Sequence, residues 1–306
     1  MMTLLTRSFK TVVHQWHIPL LYFAGLFVFS TLLSLPLHHA IGARAGRYVA
    51  VQHLQEDFDL VMLSDFGERL QGIFAYFSRH VTWTLPFYIL FLIALFAGLI
   101  HTLYKGQPEY PADQQPTGDP SKAATFLYGS MRYFGLTFRI KFGVIAVAAV
   151  LTVMYAVVLT AIGSAMFKAS VNENWSILVV LLGVLFWVGV LAVLTIYADY
   201  ATIASIRDPA IRLGEALQFG FRFLTSQLSK TMIAYVLISV CKIILVILGA
   251  VLLLSIPKTS PILISTHFIA QQLVLLALCF CKVWQVTTRF YLLVDLNPVR
   301  KAVYIN

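Results

Sequence analysis

The chain has 306 residues, 59% of them hydrophobic and only 11% charged, where an ordinary soluble domain carries about a quarter charged residues. That balance excludes a soluble fold, which could not hide so much apolar surface. The formal charge of +9 would raise nucleic acid as a partner of a soluble protein, but no Lys/Arg stripe with interleaved stacking aromatics stands clear of the apolar runs, which excludes it here.

Uncharged runs longer than about 18 residues recur, each enough to cross a hydrocarbon core of about 30 Å as a helix. They are continuous rather than alternating, so backbone satisfaction in lipid demands helices and not a barrel. The expected fold is all-α, a polytopic membrane protein with six transmembrane helices.

Residues 1–17 carry Leu5, Phe9, Val12, Val13 and Trp16 at near-helical spacing, with Arg7 and Lys10 off that stripe. This predicts a short interfacial helix. The run 18–37 is longer than the 7–15 residue apolar core of a cleavable signal peptide and reads as span one, a retained anchor. Residues 38–80 are polar enough to leave the membrane, and Leu60, Leu63, Phe66, Leu70, Ile73, Phe74 and Phe77 recur at helical intervals, so one or two amphipathic helices are expected over the outer mouth. Span two covers 81–104. Residues 106–120 contain Pro108, Pro111, Pro116 and Pro120 and read as an exposed linker.

After the linker, Leu127, Met131, Phe134 and Phe138 form the stripe of a second interfacial helix leading into span three at 142–167. A turn with Asn172, Glu173 and Asn174 precedes span four at 175–198, closed by Asp199 between two tyrosines. Residues 208–230 then give the clearest amphipathic helix. Leu213, Ala216, Leu217, Gly220, Phe221, Phe223, Leu224 and Leu228 share one face, and Arg212, Glu215, Gln218, Arg222, Thr225 and Ser226 the other. Asp208 is placed to cap it, with Pro209 at the first helical position. Spans five (231–256) and six (262–281) follow.

With the N-terminus inside, 15 of the 22 Lys/Arg lie on the cytoplasmic side and 6 outside, Lys242 alone being within a span. The positive-inside rule then predicts both termini on the cytoplasmic side of the membrane. Units 1–105, 121–200 and 208–290 are built alike, each a cytoplasmic elbow helix, an outward span, an outer connection and an inward span. This predicts a pseudo-threefold repeat of parallel hairpins, unlike the inverted repeats of many transporters.

Lys242 is the most informative residue, because an ammonium in mid-span costs roughly 3 kcal/mol on insertion scales. Gln271 and Gln272 on span six and Asp199 at the end of span four are its expected partners, unless it snorkels toward an interface. His267, Gln271 and Gln272 form a polar stripe at i, i+4 and i+5, which interhelical hydrogen bonds explain without function. His17 and His38 are about 31 Å apart along one helix, too far for haem, and His38, His39 and His80 lack a zinc spacing. Cys241, Cys279 and Cys281 fall inside spans and form no metal quartet. No phosphate-cradling glycine loop, H-E-x-x-H, G-x-S-x-G or intramembrane carboxylate pair is present. No cofactor is expected. The sets Gly143/Ala146/Ala148/Ala149 and Gly183/Gly189 read as helix-packing surfaces.

In its architecture, and in the Glu215-Ala216-Leu217 helix after a span ending Tyr197-Ala198-Asp199-Tyr200, the chain resembles six-span bacterial membrane proteins without assigned function. It is also similar to the membrane domain attached to some glycerophosphodiester phosphodiesterases. The resemblance implies a fold and carries over no functional residues. The expected function is a non-enzymatic membrane scaffold or accessory subunit that packs against lipid or a partner complex. The alternative is a small-solute or lipid transporter using Lys242 and the span-six stripe.

Overall fold

The computed structural model describes the backbone of residues 1–45, 60–106, 122–169, 173–208, 210–256 and 260–296. Side chains are described over the same residues except 33–45, 60–77, 79–80, 122, 166–169, 173–174, 176 and 261. The expectations for residues 107–120 of the linker 106–120 and for the side chains of His38, His39 and His80 lie outside the described residues.

All regular structure among them is helical: α1 (Met2–His14), α2 (His17–Ala45), α3 (Leu60–Lys105), α4 (Lys122–Ala169), α5 (Glu173–Arg207), α6 (Leu213–Ser226), α7 (Leu228–Ser255) and α8 (Pro261–Leu296). Five helices, α3, α4, α5, α7 and α8, are long and apolar enough to cross a membrane. The pair α1–α2, bent by 68°, makes six if counted as one broken span.

The helix boundaries differ from the expected ones for local reasons. Pro19 has no N–H, and its ring would clash with the carbonyl four residues back, at Gln15. The chain breaks at Gln15–Trp16, and Ile18 N–H donates to Gln15 O at 2.8 Å. Residues 122–145 contain no such breaker, so the expected second elbow and span three are one unbroken helix, α4. Span four runs on through Arg207 and stops where Pro209 disfavours a helical Asp208. Span six likewise continues past Cys281 to Leu296, just before Asn297-Pro298.

The third elbow, α6, starts at Leu213 and not at Pro209. Asp208 Oδ1 accepts from Ala210 N–H at 3.1 Å in a tight turn, and Glu215 Oε2 accepts from Arg212 N–H at 3.2 Å to close the new helix start. The break between α6 and α7 falls at Gln227. There the hydroxyls of Thr225 and Ser226 donate to the carbonyls of Phe221, Arg222 and Phe223 and compete with the helix ladder.

Two compact units make up the chain, residues 20–92 and the rest. In the first, Phe29 stacks on Phe91 at 5.6 Å and meets Tyr88 at 5.3 Å. Gly25 admits this approach, since an added Cβ would come 2.6 Å from Phe91 Cζ.

In the second unit the core lies toward one end, which we call basal, where α1 and α6 pack. Buried there are Leu99 and Ile100 of α3, Tyr200 and Ile203 of α5, Ile238 of α7 and Phe290 and Leu293 of α8. Ile140, Ala198 and Ala201 form one cluster, with Leu217 of α6 against it; Leu5, Ala234 and Ile238 form another, with Trp284 against it. Buried hydroxyls are tolerated because they return to their own helix: Thr202 and Ser205 donate to Ala198 O and Ala201 O at 2.8 Å. Away from this end the same helices turn apolar side chains outward, including Val150 and Val157 of α4 and Leu185 and Val188 of α5.

Two sequence expectations about faces are corrected. Of the apolar set on α6, Ala216, Gly220, Phe223 and Leu224 are buried, whereas Phe221, Leu213 and Leu228 are exposed. Gly143 and Gly189 face nothing within 4 Å, and Ala146 and Ala149 are exposed, so they are not packing surfaces; Gly183 is, against Leu159 and Tyr155. The tightest basal contacts come from glycines that composition does not flag. Gly98 of α3 lies against Phe126 and Ser130 of α4, Gly129 of α4 against His101, and Gly220 of α6 against the Ala201 backbone.

A buried charge cluster as the candidate functional site

Asp199 sits on α5, about one turn after the helix enters the core at Ile196, with its side chain 1% exposed. Such a carboxylate in an apolar surround requires paired cations. Two other helices deliver them: Lys141 of α4 donates to Oδ1, and Arg289 of α8 donates to Oδ2. Each cation also lies over a ring. Lys141 Nζ is 3.8 Å from the Phe96 centroid and the Arg289 guanidinium 5.3 Å from that of Tyr235, contacts that stabilise desolvated cations. Asp199 is therefore not the partner of Lys242. Both of its oxygens are engaged, which suits a joint between α4, α5 and α8 better than a group turned toward a substrate.

Lys242 finds its acceptor elsewhere. Gly249 packs directly against Val274, and in this antiparallel register Lys242 is level with Cys281. Its ammonium reaches about one turn toward the basal end and donates to Gln285 Oε1 at 2.5 Å. This is snorkelling with a named endpoint. The expected stripe takes no part: Gln271 is exposed, His267 and Gln272 are half-buried, and Gln272 and Gln285 are about 20 Å apart along α8. His267 Nδ1 and Gln272 Oε1 have no hydrogen-bond partner among the described residues.

Lys282, Gln285 and Arg289 stand at i, i+3 and i+7 on α8 and so form one stripe. Half-buried Lys282 lies within electrostatic reach of Asp199, Arg289, Lys141 and Lys242. The cluster thus holds four cations and one carboxylate. Beside it Tyr200 and Thr231 share a hydrogen bond of 3.1 Å. A cavity of about 10 Å³, lined in part by Tyr200, Thr231, Gln285 and Arg289, has room for about one water.

Helix α1 is fastened over this region. Ser8 Oγ and Thr288 Oγ1 are 2.9 Å apart, Trp284 Nε1 donates to Ser8 Oγ at 3.0 Å, and Arg7 pairs with Asp295 at 3.1 Å. Phe9 meets Trp284 edge-on at 5.3 Å. The first elbow is thus joined to the α8 stripe by hydrogen bonds as well as apolar contact.

Lys141, Lys282, Gln285 and Arg289 are functional candidates that sequence reasoning passed over, because they flank the expected spans and read as loop or interface residues. A signal was available. Val283, Trp284, Val286, Phe290, Leu292 and Leu293 continue the apolar pattern past Cys281, and Asp199 stands directly after the long apolar run of span four with further apolar residues following it.

No His, Cys, Asp or Glu grouping among the described residues could hold a metal ion. Comparison with known proteins finds no matching family model, no matching curated protein and no matching solved structure.

Proposed function

We propose that this protein is a non-enzymatic scaffold or accessory subunit of a bacterial cytoplasmic membrane, spanning it six times with both termini in the cytoplasm. The observation that carries the reading is a separation of polar and apolar roles along the helices. Asp199, Lys141 and Arg289 satisfy one another at the basal end and tie α4, α5 and α8 together. Beyond that joint, the most apolar 18-residue stretches of α4 and α5 contain no buried residue. A two-helix arm with apolar side chains on all sides is suited to contact lipid or another membrane protein along its length.

Photo-crosslinking amino acids at Val150, Val157, Leu185 and Val188 in growing cells test this. A discrete adduct with one membrane protein, formed from several positions of the wall, is the expected outcome. Lipid adducts alone from all four positions, together with solute flux by the purified chain in proteoliposomes, would overturn it.

The second reading is transport of a small solute or lipid. Its support is the Lys242–Gln285 pair, a half-buried cation on a buried amide within otherwise apolar helices. Under that reading Lys242→Met abolishes flux in proteoliposomes while the chain remains folded.

A further inference from the structure

We propose that Lys242 and Lys282 form a binding site for the phosphate of an anionic phospholipid, whose acyl chains run along the outward faces of α7 and α8. This requires only that the helices span a membrane and does not depend on the scaffold reading.

The argument begins with the charge balance. Asp199 spends one oxygen on Lys141 and the other on Arg289. Lys242 is left with a neutral amide oxygen, and Lys282 makes no hydrogen bond or ion pair with any described residue. Asp199 lies within electrostatic reach of Lys282 but contacts neither lysine, and one carboxylate among four cations leaves the cluster with excess positive charge at the margin of hydrocarbon, which calls for a counter-anion from outside the chain. The register set by Gly249 and Val274 places both lysines at one level of the α7–α8 hairpin, on adjacent helices, and both are half-buried, so a ligand can reach them.

The surroundings select a lipid over a free ion. Val246 is one turn beyond Lys242 on α7, and Leu275 is two turns before Lys282 on α8, so each shares its lysine's face. Both are exposed, by 51% and 43%, and both lie on the side away from the basal end. An anion held by the lysines therefore has apolar surface directly adjoining it in the direction acyl chains would take. Basic pockets between membrane helices bind anionic headgroups by this combination.

Native mass spectrometry of the full chain in mild detergent tests the site, titrating phosphatidylglycerol, phosphatidylcholine and inorganic phosphate separately. We expect phosphatidylglycerol to bind about tenfold more tightly than phosphatidylcholine, with about fivefold lost in Lys282→Gln and roughly 25-fold in Lys242→Gln/Lys282→Gln. Lys282→Arg should keep the affinity. Unchanged phosphatidylglycerol affinity in the double variant, or no preference over phosphatidylcholine, overturns the proposal. Lysine-dependent binding of inorganic phosphate that matches phosphatidylglycerol overturns the lipid assignment. Should the double variant fail to fold, equal affinities of Lys282→Gln and Lys282→Arg overturn the proposal by themselves.

Discussion

Asp199 shows how much one side chain can organise when water is excluded. Its two cations lie 58 and 90 residues away in sequence, so the pairing closes long loops that helix propensity alone would leave open. Asp199→Asn strands Lys141 and Arg289 without an anion, and loss of one partner of a buried ion network costs about 3–5 kcal/mol. Unfolding midpoints of the purified chain in lipid nanodiscs should fall further for this variant than for Lys141→Met, which leaves Arg289 on the carboxylate. A second prediction concerns Lys242. Gln285→Leu removes its acceptor and should cost about 1–3 kcal/mol, whereas the double variant Lys242→Met/Gln285→Leu should recover most of that loss because no polar group is then stranded. A double-mutant cycle on the same unfolding signal measures the coupling. That Lys242 needs a partner is legible from its position in an apolar run. Which partner it has is not, because the lysine stem reaches a full turn along the neighbouring helix.

At the scale of elements, the informative residues are those that stop a helix or let two approach. Pro19 ends α1 through its clash at Gln15, and the absence of an equivalent residue makes α4 continuous, so the three expected elbows are not built alike. Gly220 allows α6 to lie against α5, where an added Cβ would stand 2.9 Å from the Ala201 amide nitrogen. Gly220→Leu should therefore destabilise by about 1–3 kcal/mol. Gly189→Ala, facing open space, should be neutral or stabilising by up to about 1 kcal/mol. Unfolding of the two variants side by side in nanodiscs distinguishes a packing glycine from one that merely resembles it in sequence. The small-residue spacing marks both kinds alike, since it records where helices could approach and not where they do.

For the whole molecule, the positive-inside rule gives a topology open to direct test. Reporter fusions at the N-terminus and within residues 106–120 should be active only as cytoplasmic reporters, and those within 46–59 and 257–259 only as extracytoplasmic ones. The sequence by itself determined that the chain is helical and built of membrane-length apolar segments, because run length and missing charge are local properties that hydrocarbon enforces residue by residue. It also made Lys242 and Asp199 conspicuous, for the same reason. Tertiary structure alone decided that the second unit's core sits at the basal end, that Asp199 joins Lys141 to Arg289, and that Lys242 turns to Gln285. These outcomes depend on the register in which distant helices pack, and that register is set by contacts such as Gly249 on Val274 and Gly220 on Ala201, which no periodicity within a single helix encodes.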